Sequence, residues 1–164
     1  MLNTATETDT IRRRGSSPGR SAGNESADPV YAMPNARVDQ FLKEYTRWVA
    51  NQDNIQAVAL VGSYARGTAT EASDVDLVVV ANDPALYLQE RSWTHVFGEV
   101  WNQEVEGYGK VISLRVQYTD GLEVEYGLTD ETWAAFPPDE GTRELVAGGM
   151  RVLFERWPLL SRHI

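Results

Sequence analysis

Apolar positions along this chain fall into a few distinct rhythms. From Asn35, Val38, Phe41, Leu42, Tyr45, Trp48 and Val49 recur at i, i+3, i+4, i+7, i+10 and i+11, the single stripe of an amphipathic helix. Asn35 is placed to cap its N-terminus, and Gln52-Asp53-Asn54 closes it. Ala57–Val61 is an unbroken apolar run, which predicts a buried strand, and Asp74–Val80 predicts a second. Two further strands are predicted. Val111, Leu114 and Val116 lie among Ser113, Arg115 and Gln117 in a strand over Tyr108–Tyr118. Leu122, Val124, Tyr126 and Leu128 alternate with Glu123, Glu125 and Gly127 in a strand over Leu122–Leu128. Asp120-Gly121 between them is a hairpin turn, so both glutamates leave one face of the return strand.

Weaker patterns fill the remainder. Asp83 and Pro84 open a short helix over Pro84–Arg91, with Asp83 as its cap. Trp93–Val100 reads as a helical turn leading to an edge strand, with His95 among aromatic residues as a packed or solvated side chain. Asp130–Ala135 is a turn around Trp133. Thr142 caps a helix over Arg143–Ala147 that Gly148-Gly149 ends, Met150–Phe154 is a last strand, and Trp157–Ile164 is expected to be frayed or packed at an edge. Residues 1–32 are rich in Thr, Ser, Gly, Asn and Arg and hold few large apolar residues, so they are expected to be a disordered tail before a single domain over 33–164.

Charge narrows the choice of partners. The chain has 164 residues and a net charge of −9. The tail's four acids (Glu7, Asp9, Glu25, Asp28) balance its four arginines (Arg12, Arg13, Arg14, Arg20), so the whole excess lies on the folded part. So acidic a domain is poorly suited to long nucleic acid, whose affinity comes from neutralised phosphates. No apolar run approaches the ~20 residues of a membrane span. Gly15-Ser16-Ser17-Pro18-Gly19 follows Arg12–Arg14 where a leader would turn apolar, and there is no cysteine. A cytoplasmic location is the expectation.

The chemistry is concentrated in Leu60–Val80. Gly62-Ser63 permits a tight turn with close backbone approach at the end of the first strand, and Arg66 and Gly67 follow on the same helical turn. Backbone N–H groups there, with the Ser63 hydroxyl, suit a phosphate. Asp74 and Asp76 stand at i and i+2, so on a strand both carboxylates leave the same face. Paired carboxylates facing a phosphate cradle are what two-metal phosphoryl or nucleotidyl transfer requires, with Mg²⁺ ions roughly 3.5–4 Å apart.

Gly62-Ser63-Tyr64-Ala65-Arg66-Gly67 followed by Ser73-Asp74-Val75-Asp76-Leu77 resembles the Gly-Ser…Ser-Asp-x-Asp motif of the polymerase-beta-like nucleotidyltransferase superfamily. The closest likeness is to its small bacterial members, the minimal and aminoglycoside-type enzymes. The resemblance implies an α+β fold, a mixed or antiparallel sheet of about four or five strands with helices mainly on one face. It implies Asp74 and Asp76 as metal ligands for two Mg²⁺ ions, and Gly62, Ser63, Arg66, Gly67 and Ser73 as nucleotide-binding residues, with ATP the favoured NTP. It further implies a third carboxylate on a neighbouring strand, acting as metal ligand and general base. Val124-Glu125-Tyr126 matches best, and Glu123 on the same face stays open as its rival. Arg115, across the hairpin, is expected to pair with a glutamate, and Lys110 to do the same.

The function this implies is metal-dependent transfer of an NMP from an NTP to a hydroxyl, with pyrophosphate released. The acceptor is a small hydroxylated molecule or a partner protein. Relatives that modify antibiotics usually add a helical domain after the catalytic core, and about 35 residues after the third acid are too few for one. A homodimer partner or a protein acceptor would then complete the pocket. The alternative is a catalytically degenerate nucleotide-binding or protein-interaction module of the same fold. The third acid is usually Asp in this family, and Glu125 departs from it.

Overall fold

The structure is a computed structural model that describes residues 35–164; the expectation for residues 1–32 lies outside the described residues. The chain runs α1 (Ala36–Ala50), β1 (Ile55–Val61), α2 (Gly62–Arg66), β2 (Val75–Ala81), α3 (Pro84–Gln89), a 3₁₀ turn (Ser92–Phe97), β3 (Val100–Tyr108), β4 (Val111–Tyr118), β5 (Glu123–Thr129), a second 3₁₀ turn (Glu131–Ala134), α4 (Glu140–Ala147), β6 (Met150–Glu155) and a last turn (Ser161–His163). One mixed sheet has the order β3-β4-β5-β2-β1-β6. All its pairs are antiparallel except β2 with β5. The sheet therefore has six strands, more than the four or five expected.

Both faces are covered. Alternation along β2 sends Val75, Leu77 and Val79 to one side and Val78 and Val80 to the other. On the first side α1 lays down Phe41, Tyr45 and Val49, joined by Tyr87 of α3 and Phe97. Each such side chain taken fully out of water contributes about 1.5–3 kcal/mol. Asn35 caps α1, its Oδ1 accepting from the Arg37 N–H at 2.8 Å. The thinner second cluster sets Trp133, Leu159 and Leu160 against Ala57, Ala59 and Val80, so the C-terminal segment contributes two core leucines while Trp157 and Ile164 stay exposed.

Several local expectations are corrected. A strand over Tyr108–Tyr118 proves to be the end of β3, a turn at Gly109-Lys110 and β4; β3 itself starts back at Val100. α3 ends at Gln89, and Asp83 sits at its cap position without a side-chain cap bond. Asp139, not Thr142, caps α4: its carboxylate accepts from the Thr142 N–H at 2.8 Å, while the Thr142 hydroxyl donates to the Trp133 carbonyl at 3.1 Å. Lys110 pairs with Asp139 at 2.9 Å rather than with a glutamate.

Buried hydroxyls tie the first face together. Tyr126 and Tyr118 share a hydrogen bond of 2.9 Å, and the Tyr118 hydroxyl donates to the Thr94 carbonyl at 2.8 Å. This chain fixes β5 and the 3₁₀ turn before β3 against one another, one residue from Glu125.

Candidate active site

The site forms where β1 ends and β2 and β5 begin. β1 passes into α2 through Gly62, whose φ of +76° lies in the left-handed region. No side chain caps α2 at Val61, and Gly67 closes it with φ +82°, its N–H donating to the Ser63 carbonyl. Arg66 is exposed at the end of this turn and Ser63 is half-buried. The loop back to β2 is held by Ser73, whose hydroxyl accepts from the Thr70 N–H at 2.9 Å. Ser73 thus fixes the approach to Asp74, which stands immediately before β2 rather than within it.

Register distinguishes the two glutamates. Asp76 of β2 has Val61 of β1 as its partner on one side and Glu125 of β5 across the parallel pair on the other. Oxygens of Asp74, Asp76 and Glu125 all come within 4.8 Å of one another. Glu123 is left out of this group and faces Gln117 on β4. The sequence put both glutamates on one face, and the pairing of β5 with β2 separates them.

Gly62 is part of the same geometry. A Cβ at this position would lie 2.3 Å from Asp76 Oδ2, so the backbone passes directly beneath the carboxylate. A hollow of ≈ 250 Å³ opens beside it, between α4 and the sheet, lined among others by Val78, Ser113, Glu125, Gly127 and Leu145.

The electrostatics reflect crowding. Burial first, then the charges of Asp74 and Glu125, push the Asp76 carboxyl up to about 7, against the opposing pull of Arg115 and Arg66. Arg115, on β4 opposite Glu125, answers the excess negative charge. Its Nη1 donates to Asp74 Oδ2 and to Glu123 Oε2, each at 3.0 Å, and its Nη2 donates to Glu125 Oε1 at 3.0 Å. These contacts, Glu123 first, hold the guanidinium proton still more tightly than usual. The bonds to the glutamates agree with the sequence expectation. The bond to Asp74 was not foreseen, because it depends on β5 lying between β4 and β2. Tyr64 was also missed: its buried hydroxyl has no partner among the described residues, and burial and the Asp74 charge push its acidity down.

The donor set suits a hard divalent cation. Three carboxylates converge from two strands and a loop, none of their oxygens is tied up by backbone in capping, and a proton or a cation is needed to relieve their repulsion. A soft metal would want sulfur, and the chain has no cysteine. His95 is exposed in the 3₁₀ turn before β3 and is not among these ligands.

Comparison with known proteins follows the same stretch. A family model described as "Nucleotidyltransferase domain" matches residues 40–133, more than half the chain, from within α1 to the turn after β5. A curated protein of Methanocaldococcus jannaschii, named "Putative protein adenylyltransferase MJ1305", is 45% identical over 51 residues. That match takes in 31% of this chain and 33% of the relative, so the chain spans about a third of that relative's length. Among solved structures, an aminoglycoside 6-adenyltransferase from Bacillus subtilis is similar with a TM-score of 0.47 and 16% identity, over 61% of this chain and 36% of that one. Terminal uridylyl transferase 4 from Trypanosoma brucei, with bound UTP and UMP, is similar with a TM-score of 0.41 and 15% identity, over 68% and 37%.

Proposed function

The chain belongs to the nucleotidyltransferase domain family, and from that premise we propose that it is a metal-dependent enzyme moving an NMP from an NTP, with ATP favoured, to a hydroxyl of a small molecule or partner protein. The observation that carries this reading is the convergence of Asp74, Asp76 and Glu125 within 4.8 Å beside the Gly62 turn.

In this reading the triphosphate lies along Gly62–Gly67, with Ser63 as a hydroxyl donor, Arg66 as a mobile cation at its rim and Ser73 at the far side of the loop. Asp74, Asp76 and Glu125 would hold two Mg²⁺ ions, which would neutralise phosphate charge and make the acceptor hydroxyl more acidic. Glu125 takes the proton from that hydroxyl. The deprotonated acceptor oxygen forms a bond to the α-phosphorus as the bond from that phosphorus to the β-bridging oxygen breaks, and pyrophosphate leaves with the electron pair. Positioning and charge compensation carry the rate, since the protein forms no covalent intermediate.

The hollow beside Glu125 admits the reacting end of an acceptor, but ≈ 250 Å³ does not hold a large one. The rest of the acceptor is therefore held by another surface, either a second copy of the chain or the acceptor protein itself. No helix among the described residues is long and apolar enough to cross a membrane. A cytoplasmic setting and an acceptor other than nucleic acid complete the reading, the latter resting on the net charge of −9.

A second reading has one observation in its favour. Arg115 bridges Asp74 and Glu125, where a metal-loaded enzyme needs free oxygens, as a binding module that had lost turnover would allow. Calorimetric titration of ATP, GTP, CTP and UTP, with and without Mg²⁺, into wild type and Asp76→Asn decides between them. Metal-dependent binding weakened by the substitution, followed by transfer of labelled nucleotide, supports the enzyme. Failure of every NTP to bind would leave the interaction module.

A further inference from the structure

Arg115 touches more acids than a simple ion pair requires. Four carboxylates surround it. Asp74 and Glu125, each at 3.0 Å, belong to the converging trio; Glu123 at 3.0 Å and Glu106 at 3.7 Å do not. Glu123 enters from β5 and Glu106 from β3. The guanidinium therefore spans two seats. One consists of oxygens that a divalent cation would claim; the other is a pair of acids on β3 and β5, the two strands that flank β4. Its fork of donors can keep either seat while releasing the other.

A guanidinium and a divalent ion cannot both lie against Asp74 and Glu125 without strong repulsion at such separations. Without any cation, four acids and Asp76 would crowd one end of the sheet. Both requirements are met if the arginine moves.

We propose, building on the transferase reading above, that Arg115 is the resident counter-ion of the metal-free site and that metal loading is an exchange. The guanidinium gives up Asp74 and Glu125 and remains on Glu123 and Glu106. Arg115 is then a positioning residue, keeping the three ligands gathered before the metal arrives. Glu123 controls metal affinity without being a ligand, because it supplies the seat to which the arginine retreats.

The test is Mn²⁺ titrated alone, without nucleotide, into wild type, Arg115→Gln, Glu123→Gln and the double variant. It is paired with ¹⁵N NMR of the arginine side chains as Mg²⁺ is added. Arg115→Gln should tighten Mn²⁺ binding about tenfold, and Glu123→Gln should weaken it about tenfold. In the Arg115→Gln background the effect of Glu123→Gln should shrink to about twofold, the residue of its bare charge. The Arg115 signals should move in step with metal occupancy. Equal weakening by Glu123→Gln in both backgrounds, or Arg115 signals unmoved at saturation, would overturn the exchange while leaving metal binding intact. If Arg115→Gln does not fold, Arg115→Lys replaces it. A lysine lacks the planar fork by which Nη1 serves Asp74 and Glu123 while Nη2 serves Glu125, so tighter Mn²⁺ binding is expected, and unchanged affinity overturns the exchange. A folded wild type and a folded Arg115 variant that both ignore Mn²⁺ would overturn the transferase reading, and the exchange with it.

Discussion

Gly62 and Asp76 stand so close that a methyl group on the glycine would come within 2.3 Å of the aspartate Oδ2. Gly62→Ala therefore meets two obstacles, a left-handed φ of +76° and a carboxylate that must move. Gly67, with φ +82°, has open space where its Cβ would go. Both variants should lose about 1–2 kcal/mol of stability through backbone strain. Gly62→Ala should lower nucleotide transfer by about tenfold or more, and by more than Gly67→Ala does, because it also displaces Asp76. Thermal melts and transfer rates on the two variants, side by side, check the distinction.

Asp76→Asn should abolish transfer and leave the fold intact, since it removes a charge and changes no volume. Its effect on stability should depend on pH. In the metal-free protein the carboxyl titrates at about 7, against an ordinary value of 3.8. The folded state thus keeps a proton that the unfolded chain has already released, and this contribution is complete below about pH 4 and lost as pH rises through about 7. Wild type should melt at falling temperature across that window in chelator. Asp76→Asn should be flatter and should exceed wild type at about pH 8.

Glu125→Gln and Glu123→Gln should separate the two glutamates. Glu125 is the register partner of Asp76, and Glu123 lies outside the trio. Glu125→Gln should reduce kcat by about 10²–10³, the range for loss of a general base, whereas Glu123→Gln should act mainly on the apparent metal requirement. Rates measured over a Mg²⁺ series distinguish them, because excess metal should restore Glu123→Gln and not Glu125→Gln. Equal, near-wild-type rates in both would remove the general-base assignment.

Tyr118→Phe should destabilise the domain by about 1–3 kcal/mol, since it orphans the Thr94 carbonyl and the Tyr126 hydroxyl in the core. Chemical denaturation measures it. A loss under about 0.5 kcal/mol would mean the network adds little to the packing around it.

Much of this was legible in the sequence because its signals are local. The stripe from Val38 to Val49, the Gly62 turn, the Asp74/Asp76 spacing and the Asp120-Gly121 hairpin are each set by a few adjacent residues. β3 was nearly invisible for the opposite reason. It is an edge strand in which Trp101 is 64% exposed and Val105 44% exposed, while Asn102, Gln103, Glu104 and Glu106 leave no clean alternation. The sequence placed Glu123 and Glu125 on one face and favoured Glu125 only through its likeness to a motif, leaving Glu123 open. Their separation is a property of the parallel register with β2, which no local pattern encodes. The Arg115 contact with Asp74 needs the same sheet order. Helix caps shifted by a few residues, as at Asp139, because several neighbouring residues could each serve.

The parallel seam between β2 and β5 also has a kinetic meaning. β1 and β2 form one neighbourhood through the short α2 connection, and β4 and β5 another through a tight hairpin. Each can pair early, since little chain must be closed into a loop. Their joining is the slow, long-loop event. Asp76 lies on one side of that seam and Glu125 on the other. A nascent or half-folded chain can therefore carry every site residue and still have no site, so that competence to react appears only once the two halves of the sheet have closed.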